Sequence, residues 1–193
     1  MDEELREELR AALLLLKKQT RFRMLADKAI LEGSRADFQE LESEAFDPAN
    51  DGVHYTALAE LTRVKMYFAS GISIPPGYEI PVEEVLPDSG AKSERELTPD
   101  QVKAILHQPD ASWQARARAA FLLSIVPGVE SAEELAKATH ATDNLMVLTA
   151  CDGFFSARTG YRGGDPFKTG ELIKWWDAHK ADYKDPDWLT KAQ

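Results

Sequence analysis

The chain has 193 residues, of which 44% are hydrophobic, and a formal net charge of −10. A chain of this length can bury one core, or two small ones, without disulfides or a structural metal. The negative charge repels phosphate backbones, which argues against general binding of nucleic acid or of an anionic membrane.

The N-terminal residues predict neither secretion nor membrane insertion. Residues 1–10 are acidic and helical in character, whereas a secretory signal has a basic start, an apolar core and a small-residue cleavage site. The longest apolar run, residues 11–16, is far shorter than the roughly 20 residues that a membrane span requires. The single cysteine, Cys151, excludes an intramolecular disulfide. We therefore expect a cytoplasmic protein with no membrane partner.

Three helices are predicted in the first third of the chain. Residues 2–32 contain no proline or glycine and are rich in good helix formers, so they should form one helix. Ser34 is placed to cap a second helix that runs to about Phe46. Residues 53–70 have the pattern of a third helix, which Gly71 ends.

The first of these helices carries two apolar stripes on different faces. One stripe consists of Leu5, Leu9, Ala12, Leu13 and Leu16. The other consists of Leu15, Phe22, Leu25, Ala26, Ala29 and Ile30. The change from one face to the other falls within residues 17–23. This pattern predicts either a bend at that point or one long helix that is packed on two sides.

Residues 72–96 form a proline-rich, acidic segment with four prolines and two glycines. These residues exclude helix over most of the segment, and an unstructured stretch of this length is uncommon inside a compact domain. We interpret the segment as a linker or as an extended arm that lies across the helices. Residues 78–85 within it are a candidate for a short edge strand, because a proline in a strand is tolerated only at an edge.

The chain then repeats itself. Residues 98–124 align without a gap on residues 131–157, at an offset of 33 residues. Each copy has the pattern of a short helix, a polar turn and a longer apolar helix. The offset pairs Thr98 with Ser131 as N-caps, because both residues precede a helical pattern.

Residues 98–157 resemble a HEAT-like α-helical repeat. The resemblance implies a scaffold of stacked helices that usually binds other macromolecules. The proline inside the first helix and the Asp/Arg ladders between repeats, both usual in HEAT units, are not evident in the sequence. Another array of helical hairpins would fit the same pattern.

Residues 160–171, GYRGGDPFKTGE, raise the question of a phosphate-binding loop. A Walker A loop would need glycines at the positions that Arg162 and Phe167 occupy, and it would follow a buried strand. We predict instead that Gly160 ends one helix and that Thr169 caps the next one. The lysine of this segment should be exposed, and no nucleotide or other cofactor is expected.

No catalytic or metal-binding residue is predicted either. Cys151 lies on an apolar helix face, away from a helix N-terminus and from an adjacent base, so we expect a buried structural cysteine. The four histidines show no i, i+4 pair and no HExxH-type spacing, which gives no support to a metal site.

An aromatic group near the C-terminus is one candidate for binding a partner. It consists of Trp175, Trp176, His179 and Tyr183, which share one broad helical face. Tryptophan and tyrosine clusters on surfaces can be binding hot spots. The alternative is that this helix closes the end of the stack and buries its tryptophans in the core.

A basic group is the second candidate for binding a partner. It consists of Lys17, Lys18, Arg21 and Arg23, the only concentrated positive patch of the sequence. Three contacts remain open for it: an acidic partner, the acidic residues 79–96 of the same chain, and RNA. Exposed ion pairs contribute only about 0–1 kcal/mol each.

The sequence predicts an all-α protein of stacked helical hairpins, either an α-solenoid of HEAT-like units or an irregular bundle, with one extended proline-rich arm. Its expected parts are an N-terminal helical subdomain (1–71), the arm or linker (72–96) and a C-terminal helical-repeat subdomain (97–193). We expect a non-enzymatic adaptor, assembly or inhibitor protein that binds another protein. Two other classes stay open: an enzyme with a cleft between the halves, and a helical-repeat protein that processes nucleic acid, which the negative charge disfavours.

Overall fold

The computed structural model describes residues 3–50, 52–69, 71 and 74–190, and predictions that fall on the other residues lie outside it. The regular secondary structure of the described residues is entirely helical, which confirms the all-α prediction. The α-helices are α1 (Glu3–Leu31), α2 (Arg35–Ala45), α3 (His54–Ala69), α4 (Val82–Val85), α5 (Pro99–His107), α6 (Trp113–Ser124), α7 (Val129–Ala141), α8 (Leu145–Thr159), α9 (Thr169–His179) and α10 (Asp187–Thr190). The chain divides into two compact units, Met1–Ser70 and Gly71–Gln193.

The first unit is a bundle in which α1, α2 and α3 each contact the other two. α1 is one continuous helix, so the chain does not break between the two apolar stripes. The predicted cap of α2 is confirmed, because the Ser34 hydroxyl accepts a hydrogen bond from the backbone N–H of Asp37 at 3.2 Å. The core of the unit consists of Phe22, Leu25, Ala26, Ala29, Ile30, Phe38, Leu41, Ala45, Val53, Ala57, Leu61, Val64 and Phe68.

The second unit is built from helices that pack in pairs. α5 packs on α6 and α7 on α8, while α6 also packs on α8 and α9 packs on α7. α5 begins with a capping box, in which the backbone N–H of Gln101 donates to the Thr98 hydroxyl and the Gln101 side chain accepts from the backbone N–H of Thr98. The shared core includes Ile105, Leu106, Leu123, Leu135, Phe155, Leu172 and Trp176.

Two predicted N-caps of the second unit are wrong. Ser131 is buried inside α7, which begins directly after Gly128. Gly128 has a φ of 109°, a conformation that residues with a Cβ rarely adopt, and it lets the chain turn into α7 early. Thr169 is the first residue of α9 rather than its cap, which is Lys168. The Thr169 hydroxyl lies 3.0 Å from Nδ1 of His140.

The described part of the proline-rich segment lies on the second unit. Ile80 and Val82 are buried in the core of that unit. The predicted edge strand is wrong, because residues Val82–Val85 form the short helix α4. The backbone N–H of Val85 donates to the carbonyl of Pro81 at 3.0 Å, and that of Ile80 donates to the Glu94 carboxylate at 3.2 Å. These hydrogen bonds take the place of pairing with a strand.

Glu94 joins this segment to α6. Its side chain is only 7% exposed and accepts hydrogen bonds from Nη2 of Arg118 at 2.6 Å and from Nε at 3.1 Å. The hydrogen bonding from Arg118 outweighs burial and lowers the pKa of Glu94 below its usual value, with help from the backbone N–H of Ile80. The segment is therefore fixed to the helices by a charge-assisted contact as well as by apolar burial.

We expect Glu94 to make the stability of the fold depend on pH under acidic conditions. Because its pKa is lower in the folded than in the unfolded chain, its stabilisation is full above the unfolded pKa of about 4.3 and is lost as the pH falls through the folded pKa. In Glu94→Gln, the free energy of unfolding should therefore fall less steeply between about pH 5 and pH 3 than in the wild type.

Urea denaturation at a series of pH values checks this expectation. Glu83→Gln, at an exposed glutamate of α4, controls for the loss of one negative charge. Equal pH slopes for Glu94→Gln and the wild type would contradict the role that the structure gives to Glu94.

Candidate functional site

The aromatic candidates around α9 are divided between core and surface. Trp176 is 2% exposed and packs edge-on against Phe155, with 5.4 Å between the ring centroids. Tyr183 packs against the other side of the cluster, 5.3 Å from Trp176. Trp175 is half-buried and stacks on the exposed His179 at a centroid distance of 4.4 Å. Trp176 and Tyr183 thus hold α9 on the second unit, and the Trp175–His179 pair reaches the surface.

Two of the basic candidates on α1 pair with α2 and with the turn that follows it. Nζ of Lys18 donates to Oδ1 of Asn50 at 2.8 Å. The Arg21 guanidinium binds the carboxylates of both Glu40 and Glu44, with 2.9 Å to Glu44. These contacts lie within the first unit, so they hold α1 against its neighbours in the bundle.

The other two basic candidates differ from one another. Nε of Arg23 lies 3.7 Å from the carboxylate of Glu60 on α3. Lys17 is exposed and lines a groove beside α1. Three of the four basic side chains thus have partners within the first unit.

The segment around Lys168 has the geometry of a turn between two helices. Gly160 ends α8 as predicted, with a left-handed φ of 75°. The Lys168 side chain is 62% exposed, as predicted, and its closest carboxylate is that of Glu171 at 4.0 Å. A Cβ on Gly163 would clash with the Tyr161 side chain, so the absence of a side chain there allows the close approach of Tyr161.

Cys151 is fully buried in α8, as predicted, and burial raises the pKa of its thiol to about 12. We expect a thiol reagent at neutral pH to leave the native chain unlabelled on the timescale in which it labels the unfolded chain, because the thiolate is the reactive form. Labelling followed with and without urea checks this. Rapid labelling of the native chain would contradict the buried position.

The described residues contain neither a cluster that could hold a metal ion nor a helix that could cross a membrane. Across residues 3–50, 52–69, 71 and 74–190, no three His, Cys, Asp or Glu side chains come together in a way that could hold a metal ion. Among the helices of these residues, none combines the length and the apolar content that crossing a membrane requires.

A row of exposed apolar side chains lies on the first half of α1. Every described residue from 3 to 18 is exposed, and the first buried residue of the helix is Phe22. The apolar stripe Leu5, Leu9, Ala12, Leu13 and Leu16, which we call the leucine face, lies within this exposed half. Its four leucines are 46%, 53%, 51% and 59% exposed, in chain order. Residues at this spacing lie on one side of a helix, so the leucines form a continuous row.

The leucine face leads into a groove of 330 Å³ beside α1. Its apolar lining includes Leu16, Met24 and Leu25, and its charged lining comprises Lys17, Arg21 and Lys28 against one carboxylate, that of Asp37. Arg21 is paired with Glu40 and Glu44, and Lys28 lies 3.8 Å from Asp37, so the groove combines apolar contact with one further cation, Lys17. A helix with apolar and acidic side chains is the kind of ligand that fits such a lining.

Comparisons with protein-family models, with curated proteins and with solved structures found no match. The function therefore has to follow from the surfaces of the chain itself.

The sequence showed the leucine face as a pattern but did not single it out as a binding surface. The signal that could have done so is helix length. α1 has 29 residues, whereas α2 has 11 and α3 has 16. At 1.5 Å per residue, α1 is about 43 Å long and α3 about 24 Å. α2 and α3 are too short to cover both halves of α1. They already pack against its second apolar stripe.

Proposed function

We propose that this protein is a non-enzymatic protein-binding module, an adaptor, assembly or inhibitor protein, and that it binds its partner through the leucine face. The observation that carries the proposal is the row of half-exposed leucines on α1. Contiguous exposed apolar patches mark interaction sites. An amphipathic helix whose apolar residues recur every three or four positions is a common element of peptide and protein recognition.

The binding free energy that the leucine face can supply is small, so the neighbouring groove is needed for tight binding. Full burial of an exposed leucine side chain is worth about 1.5–3 kcal/mol. For four leucines that are already about half-buried, a partner would add roughly 3–6 kcal/mol in total. Association itself costs about 4–15 kcal/mol. The leucines alone would thus bind weakly, and the groove beside them, with its apolar lining and Lys17, offers the further contact that specific binding requires.

We also propose that the second unit is a HEAT-like stack of helical hairpins, and that the proline-rich segment is an arm fixed to it. The helix bounds support the stack: α5 and α7, like α6 and α8, follow one another close to the 33-residue offset of the sequence repeat. The contacts of α5 with α7 and of α6 with α8 also support it, because equivalent helices of successive units are neighbours in a stack.

Two histidines related by the offset support the same arrangement. His107, the last residue of α5, places Nε2 at 2.8 Å from the carboxylate of Glu134 on α7. His140, close to the end of α7, places Nδ1 at 3.0 Å from the hydroxyl of Thr169 on α9. His107 thus connects the first helices of the two units, and His140, at the equivalent position, connects α7 to the following helix α9.

A buried arginine connects the two hairpins as well. Arg116 on α6 donates from Nε to the carbonyl of Leu106 at 3.1 Å and from Nη2 to the hydroxyl of Thr142 at 2.9 Å. Its Nη1 lies 3.4 Å from the carboxylate of Asp143 in the turn between α7 and α8. This Arg–Asp pair could not be predicted from local sequence, because its members are 27 residues apart.

Affinity capture tests the proposed function. The wild-type chain, as bait in a native lysate of its source organism, should retain one partner at near-equal molar amount. The double variant Leu9→Glu/Leu13→Glu should lose that partner, while Leu14→Glu, at a 62% exposed leucine outside the leucine face, should keep it. Circular dichroism of all three chains serves as the control that they are folded. A partner that the double variant retains at the wild-type level would contradict the proposal.

A further inference from the structure

We propose that a cavity in the second unit binds a small organic carboxylate and that Arg116 is the group that recognises it. The cavity has a volume of about 280 Å³ and lies where α5 and α7 end and the turns after them begin. Small-molecule sites are typically concave and mostly apolar, with a few polar groups that fix the ligand. This inference concerns the second unit alone and is independent of the leucine face.

The positive charge of Arg116 is buried but not closely paired. Its side chain is only 7% exposed, and its closest carboxylate, that of Asp143, is 80% exposed and lies 3.4 Å from Nη1. Hydrogen bonds between a guanidinium and a carboxylate are normally about 2.7–2.9 Å long. A buried charge is costly unless an opposite charge and hydrogen bonds compensate it. Arg116 therefore has the capacity to bind a closer anion.

Two other arginines of the second unit show how close such a pair can be. Arg118 binds Glu94 at 2.6 Å, and Arg158 binds Asp185 at 2.7 Å. The side chains of these two carboxylates are 7% and 15% exposed, so each is held inside the fold beside its arginine. Arg116 is as buried as these acids, yet its own carboxylate partner lies on the surface.

The hydrogen bonds of Arg116 leave some of its donors over. A guanidinium group has five N–H donors. Nε donates to the carbonyl of Leu106, Nη2 to the hydroxyl of Thr142 and Nη1 to Asp143. The other two N–H groups have no acceptor within the part of the chain that the structure describes. The first two bonds hold the guanidinium in place at the cavity, and the remaining donors are available to a ligand.

The walls of the cavity define the rest of the ligand. Its apolar lining consists of Leu106, Pro109, Ala138 and Ala141. His107 also lines it, but Nε2 of that residue already contacts the carboxylate of Glu134 at 2.8 Å. A single unsatisfied cation matches a single negative charge, whereas a phosphate group carries about two. The lining thus fits a monocarboxylate with a short apolar chain.

Asp143 is the group that a ligand carboxylate would displace. It lies in the turn between α7 and α8, and its carboxylate has no partner besides Arg116 among the described residues. An ion pair with an exposed member is weak, so little is lost when it opens. Asp143 therefore competes with the ligand for the same donors, and removing its charge should strengthen binding.

An NMR titration of the full chain with isovalerate, a branched monocarboxylate, tests the site. The probe is raised to about 50 mM, a range that suits millimolar dissociation constants. The backbone amides of residues 141–143 and the Nε–H of Arg116 should show saturable shifts. Isovaleramide, which has the same shape without the charge, should not produce them. An isovalerate titration without saturable shifts at these residues would overturn the proposal.

Substitutions outside the core test which groups form the site, because replacing Arg116 itself would also loosen the contact between the hairpins. Asp143→Asn should tighten isovalerate binding at least about threefold, since it removes a competing acceptor and a like charge. Asp110→Asn is the matched control: Asp110 is exposed, lies 33 residues earlier at the equivalent position and does not line the cavity. It should leave the affinity unchanged.

Ala141→Phe tests the cavity itself. Ala141 is exposed and lines the cavity, so a large side chain there should obstruct the site and abolish binding while the chain stays folded by circular dichroism. Isovalerate that binds Asp143→Asn no more tightly than the wild type, or that still binds folded Ala141→Phe as tightly, would contradict the assignment.

N-acetyl-leucine and its amide identify the source of the carboxylate. Tighter binding of N-acetyl-leucine than of isovalerate would indicate the C-terminus of a peptide, and the reverse order a free organic acid. Either order supports a carboxylate site. If N-acetyl-leucinamide bound as tightly as N-acetyl-leucine, the carboxylate would play no part in recognition and the proposal would fail.

Discussion

Arg158→Ala should lower the free energy of unfolding by about 3–5 kcal/mol, the size of loss expected when one partner of a buried ion pair is removed. The Arg158 side chain is 0% exposed and lies 2.7 Å from the carboxylate of Asp185. It also donates to the backbone carbonyls of Val126 and Gly128, each at 2.7 Å. One side chain on α8 thereby holds both the turn between α6 and α7 and the segment that follows α9.

The loss of Arg158 would leave several buried groups without partners. The carbonyls between α6 and α7 would lose their donor, and each buried unpaired group costs about 1–3 kcal/mol. Asp185 would lose its cation. Burial alone would raise the pKa of Asp185, but hydrogen bonds from Gly128, Tyr183 and Arg158 outweigh it and hold that pKa below its usual value.

Urea denaturation measures the effect of this substitution. Arg158→Lys should recover only part of the stability, because an ammonium group cannot reproduce the planar fork of donors. Arg162→Ala is the control, because Arg162 is exposed and lies two residues after Gly160, the C-cap of α8. Its free energy of unfolding should stay within about 0.5 kcal/mol of the wild-type value. A loss below about 1 kcal/mol in Arg158→Ala would contradict the role assigned to this side chain.

Trp176→Ala should lower the free energy of unfolding by about 3–5 kcal/mol, as expected when a large buried side chain is truncated. Trp176 is 2% exposed and lies between the rings of Phe155 and Tyr183. Its neighbour Trp175 is half-buried and stacks on the exposed His179. Trp175→Ala should therefore lower the free energy of unfolding clearly less than Trp176→Ala does.

Trp176→Phe distinguishes the apolar contribution of this residue from its polar one. The indole Nε1 of Trp176 is buried and has no hydrogen-bond partner within the described part of the chain. Trp176→Phe removes that unpaired donor and only part of the side-chain volume. It should therefore lower the free energy of unfolding much less than Trp176→Ala does. The measurement is urea denaturation of the three variants. Equal losses for Trp175→Ala and Trp176→Ala would contradict the placement of α9.

Local chemistry was enough to predict several helix ends. Ser34 and Thr98 cap their helices because a hydroxyl reaches the backbone N–H three residues on. Gly160 ends α8 because it adopts a positive φ without strain. The start of α7 could not be predicted in this way. The backbone N–H of Gly128 donates to the carboxylate of Asp185, 57 residues away, at 2.7 Å, and no local pattern contains that contact.

The candidate binding surface was only partly predictable for the same reason. The two stripes of α1 follow from helical periodicity, but periodicity does not say which stripe the bundle covers. The basic group looked available in the sequence because its partners lie far along the chain: Arg21 binds Glu44, and Lys18 binds Asn50. The attachment of the proline-rich segment to α6 depends on the contact between Glu94 and Arg118, which are 24 residues apart.

Hydrogen exchange of the α1 amides tests most directly whether the chain leaves the leucine face open to a partner. Amides of residues 7–17 should exchange much faster than those of residues 25–30, because only the second half of α1 lies in the core. Equal protection of both halves would contradict this account, because it would mean that the chain covers the leucine face by itself.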